Sequence, residues 1–124
     1  MQQSTRSEKT IGIVDPDAAV RHSLAFALNA EGYQVLSCAR GMELVALLAR
    51  TPFHCFVVEY RLPEMTGMEL VHSLRNRNIG APVVMLATHP DQALLATAPS
   101  QNTTVIEKPL NGSAVIDAIR KAIG

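Results

Sequence analysis

Short apolar segments alternate along the chain with segments whose apolar positions recur every three or four residues. The short segments predict strands, and the periodic ones predict amphipathic helices. In the segment at 53–59, valine and aromatic residues run without polar alternation, which predicts a strand covered on both faces. The five expected strands are residues 10–15, 33–38, 53–59, 81–88 and 104–108.

Five helices are expected between and after these strands. In the first helix, one face carries Val20, Leu24, Ala27 and Leu28. Gly32 is expected to end this helix, because glycine is favoured just after a helix C-terminus. The other helical patterns are residues 41–50, 66–78, 91–98 and 112–123. The fourth of the five helices is short and is interrupted by Pro99, so we expect this region to be poorly ordered or displaced.

Strands that alternate with helices predict an α/β fold with right-handed crossovers, a doubly wound parallel sheet and helices on both faces. In such sheets, binding and chemistry collect at the carboxyl ends of the strands. The residues expected at those ends are Asp15, Pro16, Asp17, Glu59, Ala87, Thr88 and Lys108. The candidate functional residues therefore lie at one edge of the predicted sheet.

Length and charge narrow the class of protein. The chain has 124 residues, with 11 basic and 11 acidic side chains. We expect a loose tail over residues 1–9 and one domain over 10–124. The balanced charge does not favour direct nucleic-acid or membrane binding, and no apolar run approaches the roughly 18 residues of a membrane span. Cys38 and Cys55 lack metal-ligand spacing, and we expect both to be buried in a cytoplasmic protein.

Two acids and a lysine at one sheet edge suggest phosphoryl chemistry. Carboxylates after the first and third strands are suited to hold a divalent cation such as Mg²⁺. A lysine after the fifth strand is suited to neutralise a transferring phosphoryl group. The candidate metal ligands are Asp15, Asp17 and Glu59. The four histidines have no ligand spacing, and the RNRN stretch at 75–78 is expected to be a solvated helix end.

Four motifs lie within residues 11–123: IVDPDAAVRHSL, EYRLPEMTGMEL, PVVMLATH and EKPL. Together they closely resemble the motifs of the receiver domain of two-component response regulators. The family pattern of an aspartate followed by x-x-[Met/Leu]-Pro-x-Met-x-Gly reappears at Glu59, Leu62, Pro63, Met65 and Gly67. The EKPL motif supplies the family's fifth-strand lysine and the proline, usually cis-linked, that follows it. The resemblance implies a flavodoxin-like fold with strand order 2-1-3-4-5.

The resemblance also implies a chemistry. In the family, an aspartate at the end of strand three takes a phosphoryl group from a sensor histidine kinase, and two acids after strand one hold Mg²⁺. A hydroxyl after strand four and the lysine contact the phosphoryl oxygens. An aromatic on strand five then turns inward and reshapes the face made by helix four, strand five and helix five.

This chain departs from that pattern at four positions. Glu59 replaces the aspartate, Pro16 the second acid, Ala87 the hydroxyl and Val105 the aromatic, whereas Asp15, Asp17 and Lys108 are kept. A nucleophile displaced by about 1 Å can lose roughly a hundredfold in rate. We therefore expect inefficient phosphotransfer and weakened Mg²⁺ binding. Two rescues stay open: Asp17 could serve as a metal ligand, and Thr88 could supply the hydroxyl.

Glu59 allows three interpretations. Its carboxylate imitates a phosphoaspartate by reaching Lys108, or it pairs with Lys108 as a structural relic, or it still accepts a phosphoryl group slowly. A buried Glu–Lys pair is not in itself evidence of added stability, because desolvation offsets much of the attraction.

These observations favour a non-enzymatic, phosphorylation-independent receiver that binds a histidine kinase, a regulator or an output domain, with a homodimer as a further option. The first alternative is a working receiver that a kinase phosphorylates weakly. The second is a flavodoxin-like cofactor binder, disfavoured because strand one lacks a phosphate-binding loop. We expect either a stand-alone protein or a receiver excised from a longer regulator.

Overall fold

A parallel sheet lies between two layers of helices in the computed structural model, which describes residues 9–108 and 113–124. The strands are β1 (Thr10–Val14), β2 (Gln34–Cys38), β3 (Cys55–Glu59), β4 (Val83–Ala87) and β5 (Thr103–Glu107). Their order is β2-β1-β3-β4-β5, and each neighbouring pair is parallel. This confirms the fold class and the strand order that the resemblance implied.

Five α-helices and one 3₁₀ helix connect or follow the strands. They are α1 (Ala18–Ala30), α2 (Gly41–Leu47), α3 (Gly67–Asn76), α4 (Gln92–Thr97), the 3₁₀ helix (Ala98–Gln101) and α5 (Ala114–Ile123). Gly32 has a φ of 98° directly after α1, as its predicted role as a stop requires. In the described part of the chain, no helix is long and apolar enough to cross a bilayer.

The sheet buries a separate apolar cluster on each face. On one face, α1 and α5 pack Leu24, Leu28 and Ile119 against the sheet. On the other, α2, α3 and α4 contribute side chains that include Leu44, Leu70 and Leu94. Because β3 and β4 lie inside both clusters, they are buried at every position. The continuous apolar pattern at 53–59 is explained by this double burial.

The region of α4 differs from the sequence-based expectation. The prediction that it is poorly ordered is wrong for this structure, which forms a six-residue helix continued by the 3₁₀ helix. Leu94 and Ala98 lie one helical turn apart and are both buried. Pro99 fits because it occupies the first turn of the 3₁₀ helix, where its missing N–H costs no hydrogen bond.

The structure also bears on the predictions for the RNRN stretch, the two cysteines and the N-terminal tail. Arg75, in the RNRN stretch, is half-buried and donates to four backbone carbonyls, so the solvated interpretation is wrong at this residue. Cys38 and Cys55 are buried free thiols, as expected. Lys9, the last residue of the expected tail, donates to the carbonyl of Ile123. The rest of the predicted tail and Pro109 lie outside the described residues.

Candidate functional site

The carboxyl ends of four strands form an acidic pocket with one lysine. Asp15 follows β1, Glu59 ends β3, Ala87 ends β4 and Lys108 follows β5. Because β1 pairs with β3, Asp15 and Glu59 are neighbours at the carboxyl end of the sheet, and β4 separates Glu59 from Lys108. The sheet therefore gathers residues that lie up to 93 positions apart in the sequence, from 15 to 108.

Asp15 is held rigidly at the base of the pocket and is only 1% exposed. Its Oδ1 accepts a hydrogen bond from the Asp17 amide at 2.9 Å, and its carbonyl accepts one from Arg21 Nη1 at 2.7 Å. Its Oδ2 has no hydrogen-bond partner among the described residues. Burial raises the pKa of Asp15 above its ordinary value, although the Asp17 amide and the Lys108 charge act in the opposite direction.

Glu59 is 6% exposed, and both of its carboxylate oxygens are occupied. Oε2 accepts from the Arg61 amide at 2.9 Å, and Oε1 accepts from the ammonium of Lys108. The loop that carries the Arg61 amide is itself fixed, because the Gly67 amide donates to the carbonyl of Tyr60 at 2.6 Å. A Cβ on Gly67 would lie 2.8 Å from the Glu59 carbonyl oxygen, so this close approach requires glycine.

Lys108 links the acids from the other side of the pocket. Its amide donates to the Ala87 carbonyl at 2.9 Å, which anchors its backbone to the end of β4. Its ammonium reaches Glu59 and lies 3.8 Å from Oδ2 of Asp15. Burial alone would lower the pKa of Lys108, but the hydrogen bond and charge of Glu59, together with Asp15, raise it above its ordinary value.

Asp17 and Pro16 lie on the exposed side of the pocket. Asp17 caps α1: its carboxylate accepts from the amides of Ala19 at 2.9 Å and Val20 at 3.4 Å. An acid suits this position because it accepts from free amides at the positive end of the helix. The structure therefore brings together two of the three candidate metal ligands, Asp15 and Glu59, and uses the third in a helix cap.

Ala87, Thr88 and Val105, the other three candidate positions, add no polar contact to the pocket among the described residues. Ala87 is buried, and Val105 is half-buried against the same apolar cluster. Thr88 is exposed and lines a small cavity beside the pocket with Tyr60 and Arg61. No hydrogen bond joins Thr88 to Glu59 or Lys108 within the described residues.

The donor set can be tested against Mg²⁺, which prefers octahedral oxygen ligands from one or two carboxylates, waters and phosphate. Three of the four buried carboxylate oxygens already accept bonds from protein N–H groups. The fourth, Oδ2 of Asp15, lies 3.8 Å from the Lys108 ammonium. No cluster of three acidic, histidine or cysteine side chains suited to a metal occurs in the described part of the chain. As arranged, the acids fit the ammonium rather than a divalent cation.

Two contacts in the pocket were not anticipated from the sequence. The Arg61 amide binds Glu59 through the backbone, so the identity of its side chain gave no signal. The Arg21 guanidinium donates to the Asp15 carbonyl, a contact that no motif in the sequence indicated. Its spacing of one helical turn from the cap residue Asp17 is the feature that could have placed it near the pocket.

Comparisons with known proteins agree with the fold. A family model for the response regulator receiver domain matches residues 11–120. The chain is 30% identical over 117 residues to the transcriptional regulatory protein FixJ of Rhizobium meliloti (strain 1021), covering 94% of this chain and 57% of that protein. It spans about half the length of the curated relatives it matches.

Two solved structures illustrate the likeness. A CheY-like response regulator receiver domain protein from Methanospirillum hungatei JF-1 aligns with a TM-score of 0.86 at 26% identity, covering 94% of each chain. The response regulator protein TrrA from Thermotoga maritima, in complex with Mg²⁺-BeF, aligns with a TM-score of 0.78 at 19% identity, covering 92% of this chain and 98% of that one. At that identity the second likeness concerns the fold alone.

Proposed function

The chain belongs to the response regulator receiver family, and from this premise we propose that it is an atypical receiver, a phosphorylation-independent interaction module in two-component signalling. The observation that carries the proposal is the pairing of Lys108 with Glu59. The lysine that would neutralise an incoming phosphoryl group is already paired with a carboxylate of the chain itself.

The occupied oxygens of Glu59 support this proposal chemically. An acceptor carboxylate must direct a lone pair at phosphorus while a cation neutralises the transferring group. In this pocket one oxygen of Glu59 is held by Lys108 and the other by the Arg61 amide. Phosphotransfer would first require breaking the ion pair, and no hydroxyl at Ala87 would then bind the phosphoryl oxygens.

We propose that this chain does not require Mg²⁺ in its acidic pocket. The response regulator protein TrrA, which shares the fold, is described in complex with Mg²⁺-BeF. In this chain, Asp15 and Glu59 would be the residues to hold such an ion, and the ion would neutralise negative charge in the pocket. The Lys108 ammonium already does so for both acids. We therefore propose that the pocket keeps its form without the metal.

The partners that fit this function are other signalling proteins in the cytoplasm. The curated relatives include transcriptional regulators, which favours a histidine kinase, another regulator or an output domain as the partner. A cleft between α4 and β5 offers a partly apolar surface for such a protein or for a second copy of the chain. It is lined by Leu95, Ala98, Pro99, Asn102, Thr103, Thr104 and Val105. The charge balance supports binding to protein rather than to nucleic acid.

Titration of ¹⁵N-labelled protein with Mg²⁺ and then with beryllofluoride, a mimic of the phosphoryl group, tests the proposal. We expect no saturable shifts of the Asp15, Glu59 and Lys108 resonances. Incubation with acetyl phosphate and Mg²⁺ should likewise leave the intact mass unchanged. Saturable shifts, or the mass increase of one phosphoryl group, would instead identify a working receiver.

A triple variant supplies the positive control. Pro16→Asp, Glu59→Asp and Ala87→Thr restore the second acid, the acceptor aspartate and the hydroxyl in the same scaffold. We expect this variant to bind Mg²⁺ and beryllofluoride and to gain a phosphoryl group. If it stays unmodified, the substituted positions are not what blocks the reaction, and the proposed cause is wrong.

Whether Glu59 imitates a phosphoaspartate or is a relic is a separate question about the same pocket. Glu59→Gln keeps the size of the side chain and removes the charge. If the charge imitates phosphorylation, the folded variant loses binding to a partner that the native chain binds. If Glu59 is a relic, the folded variant keeps that binding.

A further inference from the structure

Arg75 makes an unusual set of contacts at the edge of the sheet opposite the acidic pocket. It lies in the last turn of α3, and its guanidinium is half-buried. Nε and Nη2 donate to the Gln101 carbonyl at 3.1 and 2.6 Å, and Nη1 donates to the carbonyls of Ile79 and Ala81 at 2.8 and 2.9 Å. Nη2 also lies 3.5 Å from the Asn102 carbonyl oxygen.

These contacts join two connections that are distant in the sequence. Ile79 and Ala81 belong to the loop between α3 and β4, whereas Gln101 and Asn102 lead from the 3₁₀ helix into β5. No carboxylate pairs with Arg75 among the described residues, so its charge is directed entirely at carbonyl oxygens. Planar guanidinium groups are suited to this use, because their N–H donors have a fixed fork geometry.

The chemistry of the contact favours a strong link. Gln101 is the last residue of the 3₁₀ helix, and its carbonyl belongs to the negative end of that helix. Hydrogen bonds from a charged donor are shorter and stronger than neutral ones. Burial lowers the pKa of Arg75, but a guanidinium keeps its charge at any ordinary pH.

A second side chain strengthens the same junction. Asn102 adopts the left-handed conformation, with a φ of 53°, and its Nδ2 donates to the Gly80 carbonyl at 3.3 Å. Its own carbonyl accepts from the Val83 amide at 3.1 Å. The end of the 3₁₀ helix is thus bonded to the start of β4 through both backbone and side chains.

Among the described residues, the pocket end of α4 has no side-chain link comparable to Arg75; the contact there is between His89 Nδ1 and Glu107 Oε2, 3.9 Å apart and exposed. α4 begins at Asp91, whose carboxylate caps its own helix by accepting from the Leu94 amide at 2.8 Å. Thr88 and His89, which precede it, are exposed. In the segment formed by α4 and the 3₁₀ helix, the buried side chains are Leu94 and Ala98. Apolar packing therefore holds its middle, and Arg75 holds its far end.

We propose that Arg75 is a clamp that sets the position of α4 and the 3₁₀ helix. It acts at the amino ends of β4 and β5, at the opposite end of the sheet from the acidic pocket. The clamp also sets the shape of the cleft at Pro99, Asn102 and Thr103, which line it directly beside the Arg75 contacts. It acts whether or not the pocket accepts a phosphoryl group, so it does not rest on the proposed function.

Hydrogen exchange of backbone amides in Arg75→Gln tests the clamp. We expect exchange over residues 92–105 to accelerate roughly tenfold or more, because contacts of a charged donor are lost there. Exchange in β1 and β3 should change far less. The control is Arg77→Gln, since Arg77 is exposed and, among the described residues, its side chain donates one hydrogen bond, to Ser73 Oγ at 3.4 Å. The control should leave residues 92–105 as in the native chain.

The result that overturns the clamp is a uniform change across the sheet, or a change in residues 92–105 no larger than that of Arg77→Gln. If Arg75→Gln does not fold, Arg75→Lys decides the matter, because it keeps the charge and loses the fork of donors. Faster exchange confined to residues 92–105 then supports the clamp, and native exchange there contradicts it.

Discussion

The ammonium of Lys108 donates a hydrogen bond to Oε1 of Glu59 and so bridges the end of β3 and the residue after β5. β4 lies between those strands, which places the pair across the end of β4, where Ala87 carries only a methyl group. The short side chain of Ala87 and the long side chain of Glu59 therefore lie at the ends of neighbouring strands.

Glu59→Gln should destabilise the fold. The substitution removes the charge partner of a partly buried ammonium and leaves Lys108 with Asp15 at 3.8 Å. Breaking one side of a buried pair costs several kcal/mol, but Lys108 remains 25% exposed and can recruit water. We expect a loss of about 1–3 kcal/mol in the free energy of unfolding, measured by urea denaturation.

Two controls accompany Glu59→Gln. Glu107→Gln removes an exposed acid at the end of β5 whose nearest partner is His89 at 3.9 Å, and it should change stability by less than about 0.5 kcal/mol. The double variant Glu59→Gln, Lys108→Met should lose less than the sum of its single variants, because it leaves no unpaired charge. Additive losses would show that the two side chains are not coupled.

Gly67→Ala should destabilise the loop that positions Glu59. The new Cβ would lie 2.8 Å from the Glu59 carbonyl oxygen and 3.0 Å from the Cα of Tyr60, and backbone atoms cannot move aside cheaply. We expect a loss of about 1–3 kcal/mol, with shifted amide resonances at Arg61. Gly80→Ala is the matched control, since nothing lies within 4 Å of its Cβ, and it should be neutral or stabilising by up to about 1 kcal/mol. Equal effects at both glycines would contradict the close-approach argument.

The architecture was predictable because strand and helix patterns in this chain agree with their final burial. β3 and β4 read as continuous apolar runs and are buried on both faces. The α4 region was misjudged because its order depends on Arg75, a residue in another element. A contact between a side chain and a carbonyl 26 residues away leaves no periodic trace in the sequence.

The sequence predicted which residues line the pocket, but it did not predict the hydrogen bonds that they make. Sheet topology alone places Asp15, Glu59 and Lys108 together, once the strands are assigned. The division of labour between the two acids after β1 depends on local geometry: Asp15 points inward and Asp17 caps α1. The occupation of Glu59 Oε2 by a backbone amide depends on the fold of the loop that follows, which residue identity does not record.

Asp17→Ala should weaken α1 without affecting the pocket. The side chain accepts from the amides of Ala19 and Val20, so its removal exposes two unsatisfied donors. We expect a loss of about 1 kcal/mol in the free energy of unfolding. Asp17→Asn keeps an oxygen acceptor and should lie within about 0.5 kcal/mol of the native chain. If Asp17→Asn loses as much as Asp17→Ala, the charge rather than the cap is what matters at this position.

The thiols should be unreactive in the native state. Burial raises the pKa of Cys55 to about 12 and also raises that of Cys38. Thiolate is the reactive form, so labelling with a disulfide reagent near neutral pH should be slow and should become fast in denaturant. Cys38 is 7% exposed and Cys55 is fully buried, so Cys38 should react first. Fast labelling of Cys55 in the native protein would contradict its burial.

Asp15→Asn should stabilise the fold near neutral pH and lose that advantage in acid. Burial raises the pKa of Asp15 above 3.8, so the folded chain binds this proton more tightly than the unfolded chain does. The ionised carboxylate therefore costs stability above the folded pKa. That cost shrinks as the pH falls through the folded pKa, and it is absent below the unfolded value. Asn removes the cost, while its Oδ1 still accepts from the Asp17 amide.

Urea unfolding of Asp15→Asn and of the native chain between about pH 3 and pH 7 measures the difference in their free energies of unfolding. We expect the variant to be more stable at about pH 7 and the difference to approach zero below about pH 4, because only Asp15 is changed. Asp117→Asn, an exposed acid on α5, should stay within about 0.5 kcal/mol of the native chain near neutral pH. If Asp15→Asn is instead less stable at neutral pH, attraction between Asp15 and Lys108 outweighs the cost of burying the charge.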